Sequence, residues 1–203
     1  MSSGVVPSVP ATAPTFAALL WPARDNGIGT ALRAVILALA GSALLAVSAK
    51  IQVPIPPVPM TMQTLVVLLL GATYGWRLAG ATVLLYIAEG MLGLPVFANT
   101  PPAVASPAYL LGPTGGYLVG YAAAAVAMGL LAERGWDRSL LRVIVMMSVG
   151  HALIFAFGVA WLAHLFGPAK AWAVGFVPFI AGTVLKTALA AALMKAAWTL
   201  VRR

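Results

Sequence analysis

The stretch TALRAVILALAGSALLAVSA, residues 30–49, decides what kind of molecule this is. At 1.5 Å per residue it makes about 30 Å of helix, the thickness of a bilayer's hydrocarbon core. Its one charge, Arg33, stands near its start. Working outward, five more apolar segments follow at about 59–74, 77–92, 115–132, 140–166 and 171–201. Over all 203 residues the chain is 62% hydrophobic and 8% charged, with a mean hydropathy of +1.01. Soluble domains carry roughly 25% charged residues, and a globule of this size cannot hide so much apolar surface in one core. Disorder is excluded for the opposite reason, lack of polarity. The expected fold is all-α: a polytopic membrane protein with six transmembrane helices.

Residues 1–28 are rich in Pro, Ala, Ser and Thr. They lack a charged n-region, an apolar core of signal-peptide length and a small-residue cleavage site. They read as a retained disordered tail, and 29–203 as one six-helix membrane domain. Basic residues set the orientation, because cytoplasmic loops accumulate Lys and Arg. With the N-terminus inside, Arg24, Arg33, Arg77, Arg134, Arg138, Arg142, Lys195, Arg202 and Arg203 fall on the inner side. Only Lys50 and Lys170 fall outside, and Lys186 lies within the membrane. Both termini are therefore expected to be cytoplasmic. The same bias accounts for the net charge of +8. No basic cluster interleaved with aromatics accompanies it, so nucleic acid is not an expected partner.

This orientation places two proline-rich loops outside. Residues 51–59 contain Pro54, Pro56, Pro57 and Pro59; residues 93–114 contain Pro95, Pro101, Pro102 and Pro107 and run into the glycine-rich Gly112-Pro113-Thr114-Gly115-Gly116. They read equally as lids over a pocket or as tight connectors.

Few residues can carry chemistry. Lys186, in the middle of the sixth segment, costs about 2.5–3.5 kcal/mol at a helix centre and so should face the bundle with a partner. Glu89, the one acid inside an apolar segment, either pairs with it or faces external water. His151 and His164 lie about 140° apart around one helix and lack metal-ligand company, so no metal is expected. The glycines at 112–116 lack the Gly-Lys-Ser/Thr ending of a phosphate loop. With no paired intramembrane carboxylates and no nucleophile elbow, no enzyme is expected. Ala34, Ala38, Ser42 and Ala46 form a small-residue stripe, which lets helices approach closely in lipid, within the bundle or with a partner.

Three motifs are more specific: Val58-Pro59-Met60-Thr61-Met62-Gln63-Thr64 with Gly71 and Gly75; Tyr86-x3-Gly90-x2-Gly93-Leu94-Pro95-Val96-Phe97-Ala98; and Gly112-Pro113-Thr114-Gly115-Gly116-Tyr117-Leu118-x-Gly120. On these the sequence from about residue 30 onward resembles the BioY family of bacterial biotin uptake proteins. Those are the substrate-binding S components of energy-coupling-factor transporters. The resemblance implies a substrate-binding domain with a biotin pocket open to the outside of the cytoplasmic membrane, biotin being cargo and no cofactor being needed. It also implies a transmembrane coupling subunit and two ATPases, with the 34–46 stripe as docking surface, or a solitary, oligomeric form. The alternative is an S component for another small vitamin. The family's sixth helix typically reads Pro-Phe-x-x-Gly-Asp-x-x-Lys, its Asp and Lys belonging to the ligand site. Here Pro178, Phe179, Gly182 and Lys186 are kept, and Thr183 replaces the acid. Expected substrate contacts are Thr61, Gln63, Tyr86, Asn99, Tyr117, Thr183 and Lys186, with Glu89 as charge partner of the lysine.

Overall fold

The computed structural model describes residues 13–22, 27–98 and 106–201. A short helix, α1 (Phe16–Leu20), precedes the long α2 (Gly27–Lys50). Two short strands, β1 (Gln52–Val53) and β2 (Met60–Thr61), pair antiparallel with Gln52 opposite Thr61. Then come α3 (Gln63–Tyr74), α4 (Trp76–Met91), α5 (Gly115–Ala132), α6 (Leu140–Phe166), α7 (Pro168–Gly175) and α8 (Ile180–Val201). Pro107–Leu111, Trp136–Arg138 and Val177–Phe179 form 3₁₀ turns.

The fold is the expected all-α membrane bundle. Four helical spans are long and apolar enough to cross a bilayer: α2, α5, α6 and the stretch 168–201. Helices α3 and α4, of 12 and 16 residues, are shorter and lie against protein. α5 is the axis, packed on α3, α4 and α6. It buries Tyr117, Leu118, Tyr121, Ala124, Ala125 and Met128, and a helix apolar all round belongs in such a place.

Three features differ from the sequence reading. First, the sixth segment is broken. α7 ends at Gly175, a 3₁₀ turn follows, and α8 starts at Ile180. Pro178 supplies the cause, since it lacks an N–H and its ring clashes with the carbonyl four residues earlier. Lys186 is thus in the second turn of α8, not at the centre of a long helix. Second, part of the 1–28 stretch is structured. Thr15 caps α1 by accepting from the Ala18 amide, Arg33 Nη2 donates to the Ala17 carbonyl at 2.8 Å, and Phe16 packs edge-on against Trp198 at 5.9 Å. Residues 1–12 and 23–26 lie outside the described residues. Third, the small-residue stripe of α2 turns inward. Ser42 is buried and Ala34, Ala38 and Ala46 are half-buried, whereas Leu32, Val35, Leu39 and Val47 are exposed. Through Ser42, which donates to Glu89, the stripe meets α4 within the chain.

The bundle's ends are distinct. At one, the Ala13 amide donates to the Glu133 carbonyl at 2.8 Å, and the Trp76 amide to Glu133 Oε1 at 3.2 Å. α1 and the last turn of α8 meet there, so both ends of the described chain lie on one side, as an even number of crossings requires. At the other end are the β1–β2 hairpin, the 92–98 and 106–114 segments and the α7–α8 break.

Candidate functional site

A cavity at this second end, about 550 Å³ of empty space with its mouth included, is lined from every principal helix except α2. Six of the expected contact residues meet on its wall: Thr61 beside β2's end, Gln63 on α3, Tyr86 on α4, Tyr117 on α5, and Thr183 and Lys186 on α8. Asn99 lies outside the described residues. The local sequence explains the convergence. The hairpin turns the chain from α2 into α3, and the Gln63 amide is met by Thr61 Oγ1 at 3.3 Å. The break at Phe176 shifts α8 so that Thr183 and Lys186, three apart on one face, look into the bundle.

Lys186 is the only charged side chain among the described residues lining the cavity. It is buried, at 8% exposure. Its ammonium donates to the Thr61 carbonyl at 2.6 Å and to Thr64 Oγ1 at 3.0 Å. An ammonium has three donors, so one stays available to a ligand. No carboxylate joins it. Glu89, the expected partner, faces α2 instead and accepts a hydrogen bond from Ser42 Oγ. Because Ser42 sits on the inward stripe of α2, this bond ties α2 to α4 rather than serving the cavity.

Above the lysine, polar groups form a chain. Gln63 Nε2 donates to the Tyr86 hydroxyl at 2.7 Å, and that hydroxyl donates to the Val96 carbonyl at 3.1 Å. The next two carbonyls of the same segment are held as well. Lys50 Nζ donates to Phe97 O at 2.7 Å, and the Tyr109 hydroxyl to Ala98 O at 2.9 Å. Burial raises the Tyr109 phenol above its ordinary pKa, so it stays a donor. Phe97, fully buried, stacks on Tyr109 at 4.7 Å and meets Tyr86 edge-on at 5.4 Å. The Tyr86-to-Ala98 motif is thereby intelligible. Gly93, at φ +97, turns the chain where side chains are strained, and a Cβ at Gly90 would strike the Phe97 ring.

Of the apolar loop residues, Phe97 lines the cavity, half-buried Val96 packs against the core, and Leu94 is half exposed. Gly115 and Gly116 are tightly packed. They open α5, and a Cβ on Gly116 would collide with Trp161 and the Phe157 carbonyl. Trp161 Nε1 also fixes the Gly112 carbonyl at 2.8 Å. Tyr117 does double duty, lining the cavity and donating to the Gly175 carbonyl at 2.7 Å, which pins the α7–α8 break.

Sequence reasoning missed Thr64, Tyr109, Tyr121 and Phe179 on the wall. The motif offered one signal, since Thr64 closes the quoted stretch that holds Thr61 and Gln63. Tyr121 sits one turn beyond Tyr117 and was equally within reach. His151 lies behind this wall, its Nδ1 3.0 Å from the Met147 carbonyl and its Nε2 without a partner. No group of three metal-ligating side chains occurs among the described residues. What the arrangement can do is bind: aromatic walls, an amide–phenol relay and one buried cation suit a small amphiphilic anion.

Comparison with known proteins bears on the fold and the family. The sequence model described as the BioY family matches residues 17–203. The chain is 38% identical to "Probable biotin transporter BioY" of Pyrococcus horikoshii, over 73% of this chain and 85% of that protein. It is 37% identical to "Biotin transporter BioY" of Thermotoga maritima, over 79% and 92%. Among solved structures it is similar in fold to the S-component for biotin from an ECF-type ABC transporter. The TM-score is 0.73 at 19% identity, covering 85% of this chain and 94% of that one.

Proposed function

This chain belongs to the BioY family, and from that premise we propose that it binds biotin in the Lys186 cavity and mediates biotin uptake across a bacterial cytoplasmic membrane. The observation that carries the reading is a single buried cation with a spare donor in an otherwise neutral, aromatic cavity. Biotin combines a carboxylate, an apolar thioether ring and tail, and a ureido head. Its carboxylate supplies the negative charge that no lining side chain offers Lys186. Tyr86, Phe97, Tyr109 and Tyr117 give the apolar ring flat surfaces, and Gln63 with Thr61 or Thr183 gives the ureido group donors and acceptors. Threonine at 183 cannot neutralise the lysine, which leaves that role to the ligand.

No step here is chemical: biotin is cargo. Energy comes from outside the chain, from a coupling subunit and ATPases or, in a solitary form, from the ligand gradient. Because the small-residue stripe is turned inward, the exposed apolar face of α2 (Leu32, Val35, Ile36, Leu39) is the surface on that helix left for a coupling subunit or a second copy. Retention of radiolabelled biotin by the purified protein, competed by unlabelled biotin, riboflavin and thiamine, tests the assignment. Displacement by biotin alone is expected. Failure to retain biotin, with retention of another vitamin, would make it an S component for that vitamin.

A further inference from the structure

A second cavity lies at the opposite end of the bundle, between the start of α6 and the end of α8, with about 540 Å³ of empty space including its opening. Half its wall is apolar, from Leu140, Val143 and Ala191; the other half holds Asp137, Arg138, Lys195 and Trp198. Asp137 is the unusual member. It is 2% exposed, and neither carboxylate oxygen has a hydrogen-bond partner. Trp198 Nε1 and Asp137's own backbone N–H lie near the carboxylate and favour its charged form, but neither makes a hydrogen bond of ordinary geometry to it. A buried acid without a well-formed hydrogen bond keeps most of its desolvation cost, and such groups find partners.

The surroundings indicate the partner. Arg138 is exposed at its head, lies 5.1 Å above the Trp198 ring and donates weakly to the Pro14 carbonyl at 3.3 Å. Lys195 precedes Trp198 by three positions on the same face of α8. Leu140 and Leu141 beside the opening are 51% and 71% exposed, and in a membrane span such residues face lipid. This is the end that carries Arg77, Arg134 and both ends of the described chain. Arginine, lysine and tryptophan in this setting mark the lipid–water boundary. An occupant must bring a cation with N–H donors for Asp137, an anion for Arg138 and Lys195, and apolar chains for the Leu140 side.

We propose that this cavity holds the headgroup of an amino-phospholipid, its primary ammonium on Asp137 and its phosphate between Arg138 and Lys195. The site is independent of the biotin cavity and of the reading given to it. A lipid held there clamps α6 to α8 at the boundary where most basic residues lie.

Delipidated protein in detergent, titrated by native mass spectrometry with short-chain phosphatidylethanolamine, phosphatidylcholine and phosphatidylglycerol, tests it. Ethanolamine lipid is expected to bind about tenfold tighter than either of the others, because a trimethylated ammonium has no N–H and glycerol no cation. Asp137→Asn should bring the three lipids within about twofold of one another. Lys195→Gln, at an exposed position, should weaken all three together and keep their ranking. Water-soluble glycerophosphoethanolamine should compete poorly; competition equal to the lipid would make the ligand a soluble phosphoamine and overturn the lipid assignment. Equal binding of the three lipids to the wild-type protein also overturns it, whether or not the Asn variant folds. So does an Asp137→Asn protein that keeps the ethanolamine preference. If the ranking is flat and Asp137→Asn instead weakens association with a coupling subunit, the carboxylate serves a protein partner and the proposal fails.

Discussion

Replacing Lys186 by methionine keeps the length of the side chain and removes its charge, and the consequence can be worked from the bonds it makes. Two donors go to Thr61 O and Thr64 Oγ1, and the third is the one a ligand carboxylate would use. A hydrogen bond to a charged group contributes about 1.5–3 kcal/mol, which corresponds to a loss of about 10- to 150-fold in affinity. Folding should suffer far less. Methionine frees the buried Thr61 carbonyl and the part-buried Thr64 hydroxyl, at about 1–3 kcal/mol for each group left unsatisfied, with the hydroxyl at the low end. It also removes a lysine that costs about 2.5–3.5 kcal/mol inside a membrane. The two nearly cancel, so Lys186→Met should melt within a few degrees of wild type and bind at least tenfold more weakly. The assay is equilibrium retention of labelled biotin beside a thermal melt, repeated with biotin amide, whose carboxylate charge is gone. Wild type should lose affinity for the amide, and Lys186→Met should hold acid and amide alike. Unchanged biotin binding in Lys186→Met and Lys186→Ala would refute the assignment of the lysine to the ligand. Equal binding of acid and amide by wild type would move Lys186 to the ureido end.

Glu89→Gln should leave biotin affinity within about twofold and add independently to Lys186→Met, because the carboxylate bonds Ser42 and sites without shared partners are additive; a double variant less impaired than the sum would restore the Glu89–Lys186 pair. Gly116→Val should lower the melting temperature and weaken binding, since a Cβ there meets Trp161 and the Phe157 backbone and overpacking costs about 1–3 kcal/mol; a variant that melts and binds as wild type would mean that α5 can separate from α6 freely. The pH dependence of melting isolates Asp137, whose pKa burial raises above the usual carboxylate value against the opposing pull of Arg138. A raised acid pKa means the folded state holds the proton more tightly. The wild-type protein in lipid-free detergent therefore gains stability relative to Asp137→Asn as pH falls through that raised value toward the ordinary one; parallel melting curves for the two proteins over that range would remove the buried carboxylate from the account.

Much of this architecture was legible from hydropathy, because six apolar runs separated by Pro- and Gly-rich loops leave a membrane bundle few alternatives. The site was legible through side-chain chemistry: a lone intramembrane lysine has to face protein, and Gln63, Tyr86 and Tyr117 stand in motifs next to turns. What hydropathy cannot show is direction. Ser42 and Glu89 are 47 positions apart, and only the crossing of α2 and α4 makes them neighbours, so the acid looked like a partner for Lys186. The inward face of α2 was hidden for the same reason, since alanines occur on all its sides. The break before α8 could have been read from Pro178, which no apolar count registers. Tyr109 was out of reach because it joins the wall through a 3₁₀ turn whose apolar spacing fits no longer element.

The brevity of α3 bears on how far the cargo has to travel. Its 12 residues rise about 18 Å, and its first residue, Gln63, borders the Lys186 site. Counted along α8, Lys186 lies 15 residues before Val201, or about 22 Å. A hydrocarbon layer is about 30 Å thick. On the proposed site, cargo beside the lysine would have about 18–22 Å of helix, three to four turns, left to the far ends of α3 and α8. Whatever drives release has to tilt or open the protein over that shorter stroke, not carry a charged vitamin across a full bilayer.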